Sequence, residues 1–148
     1  MEDICVTPLK VITTGGGDVM HALKKSDNGY NGFGEVYFSW VEQGAIKAWK
    51  CHQRMTLNLI VPLGEVRVVF HCEVCSSEQK SRPHNEFRVE KLGNDRYSRI
   101  TVPPGIWFGF QGLATGSSLL MNVADMEHDP REVLRKADTG FNFDWRIN

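Results

Sequence analysis

The sequence predicts an all-β fold, a sandwich or barrel assembled from about ten short strands. Three observations carry this expectation. Fourteen glycines and six prolines punctuate 148 residues, leaving little uninterrupted chain for long helices. The segments between them are rich in Val, Ile, Phe, Tyr and Trp, which suit a pleated, half-buried surface. Several of those segments alternate apolar and polar residues, the period of a strand with one buried face. At this length the chain reads as a single domain, residues 1–148, large enough to bury a core of its own.

Strands are expected near residues 8–13, 18–24, 33–41, 45–50, 55–62, 65–72, 85–92, 97–102, 106–111 and 117–124. In 33–41, Val36, Phe38 and Trp40 share one face, and Glu35, Tyr37 and Ser39 the other. In 56–61, Leu57, Leu59 and Val61 oppose Thr56, Asn58 and Ile60. Pro62-Leu63-Gly64-Glu65 reads as a tight turn between two strands, because Gly tolerates the left-handed backbone such turns need. The polar stretch 72–85, with Ser76, Ser77, Ser81 and Pro83, reads as an exposed hairpin end. One helix is expected, over 129–136, with Asp129 as its cap, Pro130 in its first turn, and Val133 and Leu134 docking it on the barrel.

Composition excludes several partners. Seventeen basic residues face eighteen acidic ones, so no electrostatic footprint for nucleic acid or an anionic membrane is present. No apolar run reaches the roughly 18 residues that span a bilayer. Met1-Glu2-Asp3-Ile4 lacks the basic start and apolar stretch of a signal peptide, so a cytoplasmic location with four reduced cysteines is expected.

Three segments resemble the dTDP-4-dehydrorhamnose 3,5-epimerase family of cupins. Gly44-Ala45-Ile46-Lys47-Ala48-Trp49-Lys50-Cys51-His52-Gln53 is similar to the family's G-x-x-R-G-x-H segment. Its second half, Lys50-Cys51-His52-Gln53, is also similar to the R-G-x-H-x-H-K of sugar-nucleotide 3,4-ketoisomerases. Val102-Pro103-Pro104-Gly105-Ile106-Trp107-Phe108-Gly109-Phe110 is like the family's I-P-P-G-x-x-H-G-F, and Phe141-Asn142-Phe143-Asp144-Trp145 its terminal W-x-D region. The resemblance implies a cupin, a jelly-roll barrel or double-stranded β-helix, here with one short C-terminal helix. It implies an isomerase acting beside the ketone of a 4-keto-hexose nucleoside diphosphate, without metal or organic cofactor. It also implies a homodimer in which N-terminal strands cross between subunits.

This chain departs from the family pattern at several positions. Lys50 stands where the epimerases carry their catalytic His, and Phe108 where they have a His after Pro-Pro-Gly. No Tyr occurs near Met121–Ala124, where the family's catalytic Tyr falls, and the family's paired Gln and Lys become residues near Met55 to Leu57. A metal-binding cupin would need imidazoles and carboxylates at positions that read Lys50, His52, Asn58 and Phe108, so no metal is expected. Cys72 and Cys75 form a Cys-x-x-Cys without a second pair at regular spacing, which favours free thiols at a strand end over half a zinc site.

Residues two apart on a strand point the same way, so Lys50 and His52 are expected on one face with Ala48 and Ile46. If that face looks inward, a Lys with a depressed pKa and an imidazole enter one cavity. Either could take the proton beside the ketone while the other holds the enolate oxygen, with Tyr37 as the acid. The competing readings are a solvated rim Lys and a structural His. Lys47 would be turned outward by ideal alternation and reaches the pocket only through a bulge; as a cation for diphosphate it corresponds to the family's Arg. Arg67, Asn58, Trp107 and Asp144 complete the candidate substrate-binding set, each with a structural alternative: outward-facing Arg, strand polar group, core Trp and tail contact. The alternative function is a non-catalytic sugar-nucleotide or carbohydrate-binding cupin.

Overall fold

The computed structural model describes residues 1–73 and 86–146. The expected hairpin end at 72–85 lies mainly, and Cys75 wholly, outside the described residues. Twelve strands are described: β1 (Cys5–Pro8), β2 (Val11–Ile12), β3 (Val19–Met20), β4 (Glu35–Val41), β5 (Ile46–His52), β6 (Leu57–Leu63), β7 (Glu65–His71), β8 (Phe87–Gly93), β9 (Ser98–Val102), β10 (Trp107–Gly112), β11 (Ser118–Ala124) and β12 (Val133–Arg135). Two five-stranded antiparallel sheets run in the orders β1-β9-β6-β11-β4 and β12-β5-β10-β7-β8, and β2 pairs β3 in a small separate hairpin. This is the jelly-roll arrangement that the family resemblance implies.

Alternation decides what lies between the sheets. Leu57, Leu59 and Val61 of β6 pack inward against Val68, Phe70 and Phe108 of the second sheet. On β4 the inward set is Glu35, Tyr37, Ser39 and Val41, which leaves Val36, Phe38 and Trp40 on the outside, 43%, 57% and 56% exposed. Gly64 joins β6 to β7 at φ 82°, and a Cβ there would collide with Ser118, whose hydroxyl bonds both Glu65 N and Glu65 O. At one flank the sandwich is closed where Arg88 of β8 donates to the carbonyls of Met1 and Ile4 at 3.1 and 2.9 Å.

The C-terminal helix expected over 129–136 is not there. Asp129 Oδ1 accepts from Arg131 N at 3.0 Å, a local turn, and the chain then enters β12. β12 adds to the free edge of β5, with Val133 opposite His52, Leu134 opposite Cys51 and Arg135 opposite Lys50. The edge of β5 offers unpaired backbone groups, whereas an eight-residue helix is marginal by itself. The capping signal of Asp-Pro was real but serves a turn.

The outer face of the second sheet carries its own aromatic cluster. Trp49, Trp107 and Trp145 are buried there with Phe87, Phe141 and Phe143 packed against them. The C-terminal tail lies across this face, and Trp49 Nε1 donates to Asp138 O at 3.1 Å.

Candidate active site

The site is built on β5 and β12, and a bulge sets its composition. Phe108 of β10 stands opposite Lys50, but Phe110 stands opposite Lys47, so β5 holds one residue more than its partner. Phe108 and Phe110 both face the interior. Residues opposite one another project to the same side, so Lys47 and Lys50 both do so as well. The bulge has a second effect. Ile46 and Ala48 go with Trp49 and Cys51 to the outer cluster, not with Lys50 and His52 as ideal alternation required.

The Lys50 amine lies 5.3 Å from the Phe108 ring centre and 5.7 Å from that of Phe110. Burial lowers its pKa to about 8, and the positive charges of Arg135 and Lys47 push the same way. Lys47 donates to Trp40 O at 2.7 Å and so ties β5 to β4.

His52 is buried, 5% exposed, and its Nδ1 meets Glu132 Oε1 in a short ion-paired hydrogen bond. Glu132, 2% exposed, uses its other oxygen to accept from three successive backbone amides, Gln53, Arg54 and Met55, at 3.1, 3.2 and 3.4 Å. Burial pushes the Glu132 carboxyl up, but the His52 hydrogen bond and these amides outweigh it, and its pKa is lowered. It is therefore a carboxylate at neutral pH. For His52 burial dominates and lowers the pKa; Glu132 opposes this, while Lys50 and Arg135 reinforce it. A neutral imidazole beside a carboxylate puts its proton on Nδ1 and its lone pair on Nε2. Nε2 is buried and has no hydrogen-bond partner among the described residues.

Tyr37 projects inward from β4. Burial raises its pKa first, Glu35 and Glu132 add to the rise, and Arg135 opposes it. Glu132 and Arg135 also act on His52, which places the phenol on the same side of the interior. It stays protonated and able to donate.

Of the residues expected at the site, Lys50, His52 and Tyr37 are brought to one interior region, while Lys47, on the same face of β5, is exposed and bonded to Trp40 O. Four others are not, and each has a structural partner. Asn58 lies on the opposite side of β6 from the core leucines, donating to Gly29 O at 3.0 Å and accepting from Thr101 at 2.7 Å. Arg67 lies on the outer face, bonded to Gln111 and Trp145 O and placed over the rings of Phe143 and Trp145. Trp107 stands opposite Cys51 in the outer cluster and donates to Glu73 at 2.9 Å. Asp144 is exposed and paired with Arg146 at 2.7 Å. Glu132 and Arg135 were missed by the sequence reading because 129–136 was read as helix; the strand-forming Val133 between them was the available signal.

Among the described residues, no three His, Cys, Asp or Glu side chains are grouped to hold a metal ion, and no helix is long and apolar enough to cross a membrane. No family model and no curated protein matches the sequence. Solved structures do match. A dTDP sugar isomerase from Desulfovibrio desulfuricans G20 is 31% identical, with 97% of this chain and 91% of that chain covered and a TM-score of 0.87. A sugar 3,4-ketoisomerase from Thermoanaerobacterium thermosaccharolyticum, in complex with TDP, is 19% identical over 93% of this chain and 90% of its own, with a TM-score of 0.72. A dTDP-6-deoxy-D-glucose-3,5-epimerase from Legionella pneumophila, in complex with dTDP-4-keto-L-rhamnose, is 15% identical over 100% and 81%, with a TM-score of 0.81. The last two share the fold; the first, identical at nearly a third of positions along almost the whole of both chains, shows that this protein belongs to the dTDP-sugar isomerase family.

Proposed function

We propose that the protein is a sugar-nucleotide isomerase or epimerase that works beside the ketone of a 4-keto-hexose nucleoside diphosphate, with His52 as its base. The observation that carries this reading is the bare, buried Nε2 of an imidazole whose other nitrogen is held by a carboxylate. Such a lone pair can take the acidic proton from the carbon next to a carbonyl. As that C–H bond breaks, its electron pair forms the C=C bond of an enolate and negative charge moves to the ketone oxygen. The ammonium of Lys50, two residues along the same inward face, is suited to stabilise that oxygen. The phenol of Tyr37 is suited to deliver a proton. Return of a proton to the same carbon from the other side gives epimerisation; return to the former carbonyl carbon, with the hydroxyl proton of the deprotonated carbon passing to the former ketone oxygen, gives ketoisomerisation. The ketone acidifies its own neighbouring protons, so this reading requires no metal or organic cofactor.

The direct test is incubation with TDP-4-keto-6-deoxyglucose in deuterium oxide, a sugar nucleotide bound by a structurally similar ketoisomerase. Deuterium is expected at a carbon flanking the ketone. A protein that binds the sugar nucleotide but leaves every such position protiated contradicts the reading.

The two ionisations give the pH profile its shape. His52 must be neutral, so kcat/KM is expected to rise as pH passes its lowered pKa. Lys50 must be charged, so kcat/KM is expected to fall as pH passes about 8. In Lys50→Met that alkaline limb should vanish along with most of the activity; a limb that persists would assign it to another group.

A homodimer belongs to this proposal. Val36, Phe38 and Trp40 form an exposed apolar row on β4, and Leu119 and Met121 of β11 lie beside it in register. A second copy of the same face is its natural cover, since one apolar sheet face buries another. Light scattering should give a dimer mass that falls to the monomer mass in Phe38→Glu/Trp40→Glu; a monomeric wild type contradicts this. A cytoplasmic location accords with the free thiols of Cys5 and Cys51.

A further inference from the structure

We infer that Arg135 is a substrate-binding residue that grips the diphosphate of the nucleotide at the mouth of the site, an inference that rests on His52 facing the sugar. The ladder between β12 and β5 places Arg135 opposite Lys50. Opposed residues of an antiparallel pair leave the sheet on the same side, so the guanidinium shares the face of Lys50 and His52. It differs from them in depth. His52 is buried, Lys50 is half-buried and Arg135 is exposed. The three therefore form a series running from the interior to solvent.

A nucleoside diphosphate sugar is an elongated molecule with its charge in the middle. The uncharged sugar ring can be buried cheaply, whereas the diphosphate carries charges that are costly to desolvate. With the reacting carbon at His52 Nε2, the diphosphate falls toward the rim, where Arg135 stands. A guanidinium offers two parallel N–H donors to a pair of phosphate oxygens, a match no lysine makes.

The charges around Arg135 leave it available. Arg54 and Arg131 are both paired with Asp129, at 3.0 Å each, and Arg146 with Asp144. Among the described residues the Arg135 side chain has no hydrogen bond or ion pair. Of the two acidic groups nearest in sequence, Glu132 is committed to His52 and three backbone amides, and Asp138 accepts from Thr139 N at 2.9 Å. Lys47, an exposed cation on the same face of β5, already donates to the Trp40 carbonyl. The field of Arg135 nonetheless reaches Lys50, His52 and Tyr37.

Calorimetric binding of TDP and of thymidine, which lacks the phosphates, to wild type, Arg135→Gln and Arg135→Lys tests this. Arg135→Gln is expected to weaken TDP about 10- to 100-fold, as for loss of hydrogen bonds to a charged group, and to leave thymidine unchanged. KM for the sugar nucleotide should rise by the same factor with kcat changed little, and Arg135→Lys should recover part of the loss. Unchanged TDP affinity in Arg135→Gln, or equal weakening of TDP and thymidine, overturns the inference. TDP binding involves no proton transfer. A wild type that binds TDP but exchanges no deuterium would therefore overturn the role of His52, while the Arg135→Gln binding result would still decide the role of Arg135.

Discussion

Glu132→Gln is expected to lower kcat by about 10²–10⁴ while leaving KM nearly unchanged. The carboxylate now holds the His52 proton on Nδ1 and so leaves Nε2 bare. A glutamine keeps the size and can still accept from the backbone amides of Gln53 and Arg54 through its oxygen. Its NH₂ group must then face His52, and an amide donor there forces the imidazole into the tautomer with hydrogen on Nε2. The base is present but its lone pair points the wrong way. Glu132 is thus a positioning residue, and the acid limb of the pH profile is its signature. With the negative charge gone, His52 loses the interaction that opposes burial. Its pKa should fall further, and the acid limb should move to lower pH. A kcat within a few-fold of wild type, with the acid limb unmoved, would contradict this role.

The second large effect is expected for His52→Asn. The amide of Asn can still donate toward Glu132, so the buried carboxylate keeps a partner and the fold is protected from an unpaired charge. What is lost is the lone pair aimed at the substrate. A positioned base contributes about 10²–10⁴ in rate, and solvent-deuterium incorporation should fall by that factor. The double variant His52→Asn/Glu132→Gln should be little worse than His52→Asn alone, because the two residues act as one unit. Additive losses would mean that Glu132 works independently of the imidazole. Lys50→Ala should also lose exchange, through the enolate and not through the base. Exchange unchanged in both His52→Asn and Lys50→Ala would remove the chemistry from this face of β5.

The strands were readable because alternation and turn chemistry agree. Leu57, Leu59 and Val61 specify one face of β6, and Gly64 specifies where it turns back. The same alternation could have placed Asn58: it lies opposite those leucines, so once they form the core it cannot line the interior. What the pattern does not tell is which face of a mixed strand is the inner one. Arg67 and Trp107 keep both a pocket and a structural reading in the sequence for this reason. Both β7 and β10 are buried on two sides, one against the hydrocarbon core and one against the aromatic cluster under the C-terminal tail. A strand apolar on both faces gives no sign of which side holds a pocket.

Two features of the site lie beyond local reading. The bulge between Lys47 and Lys50 exists only in the pairing of β5 with β10, and it alone returns Lys47 to the inner face. Glu132 and Arg135 depend on β12 finding the edge of β5, about 80 residues earlier in the chain. Asp129-Pro130 signals the start of an element, and a helix was the local answer. The tertiary answer is a short edge strand, because there the carboxylate meets an imidazole and three amides at once.

The central claim is a protonation state, and nitrogen-15 NMR of the histidine side chains observes it directly. At pH 7 and without substrate, His52 is expected to be neutral, with hydrogen on Nδ1, an unprotonated Nε2, and a pKa below that of an exposed histidine. A His52 that is protonated at that pH, or that carries its hydrogen on Nε2, would leave the interior without a base and contradict the account.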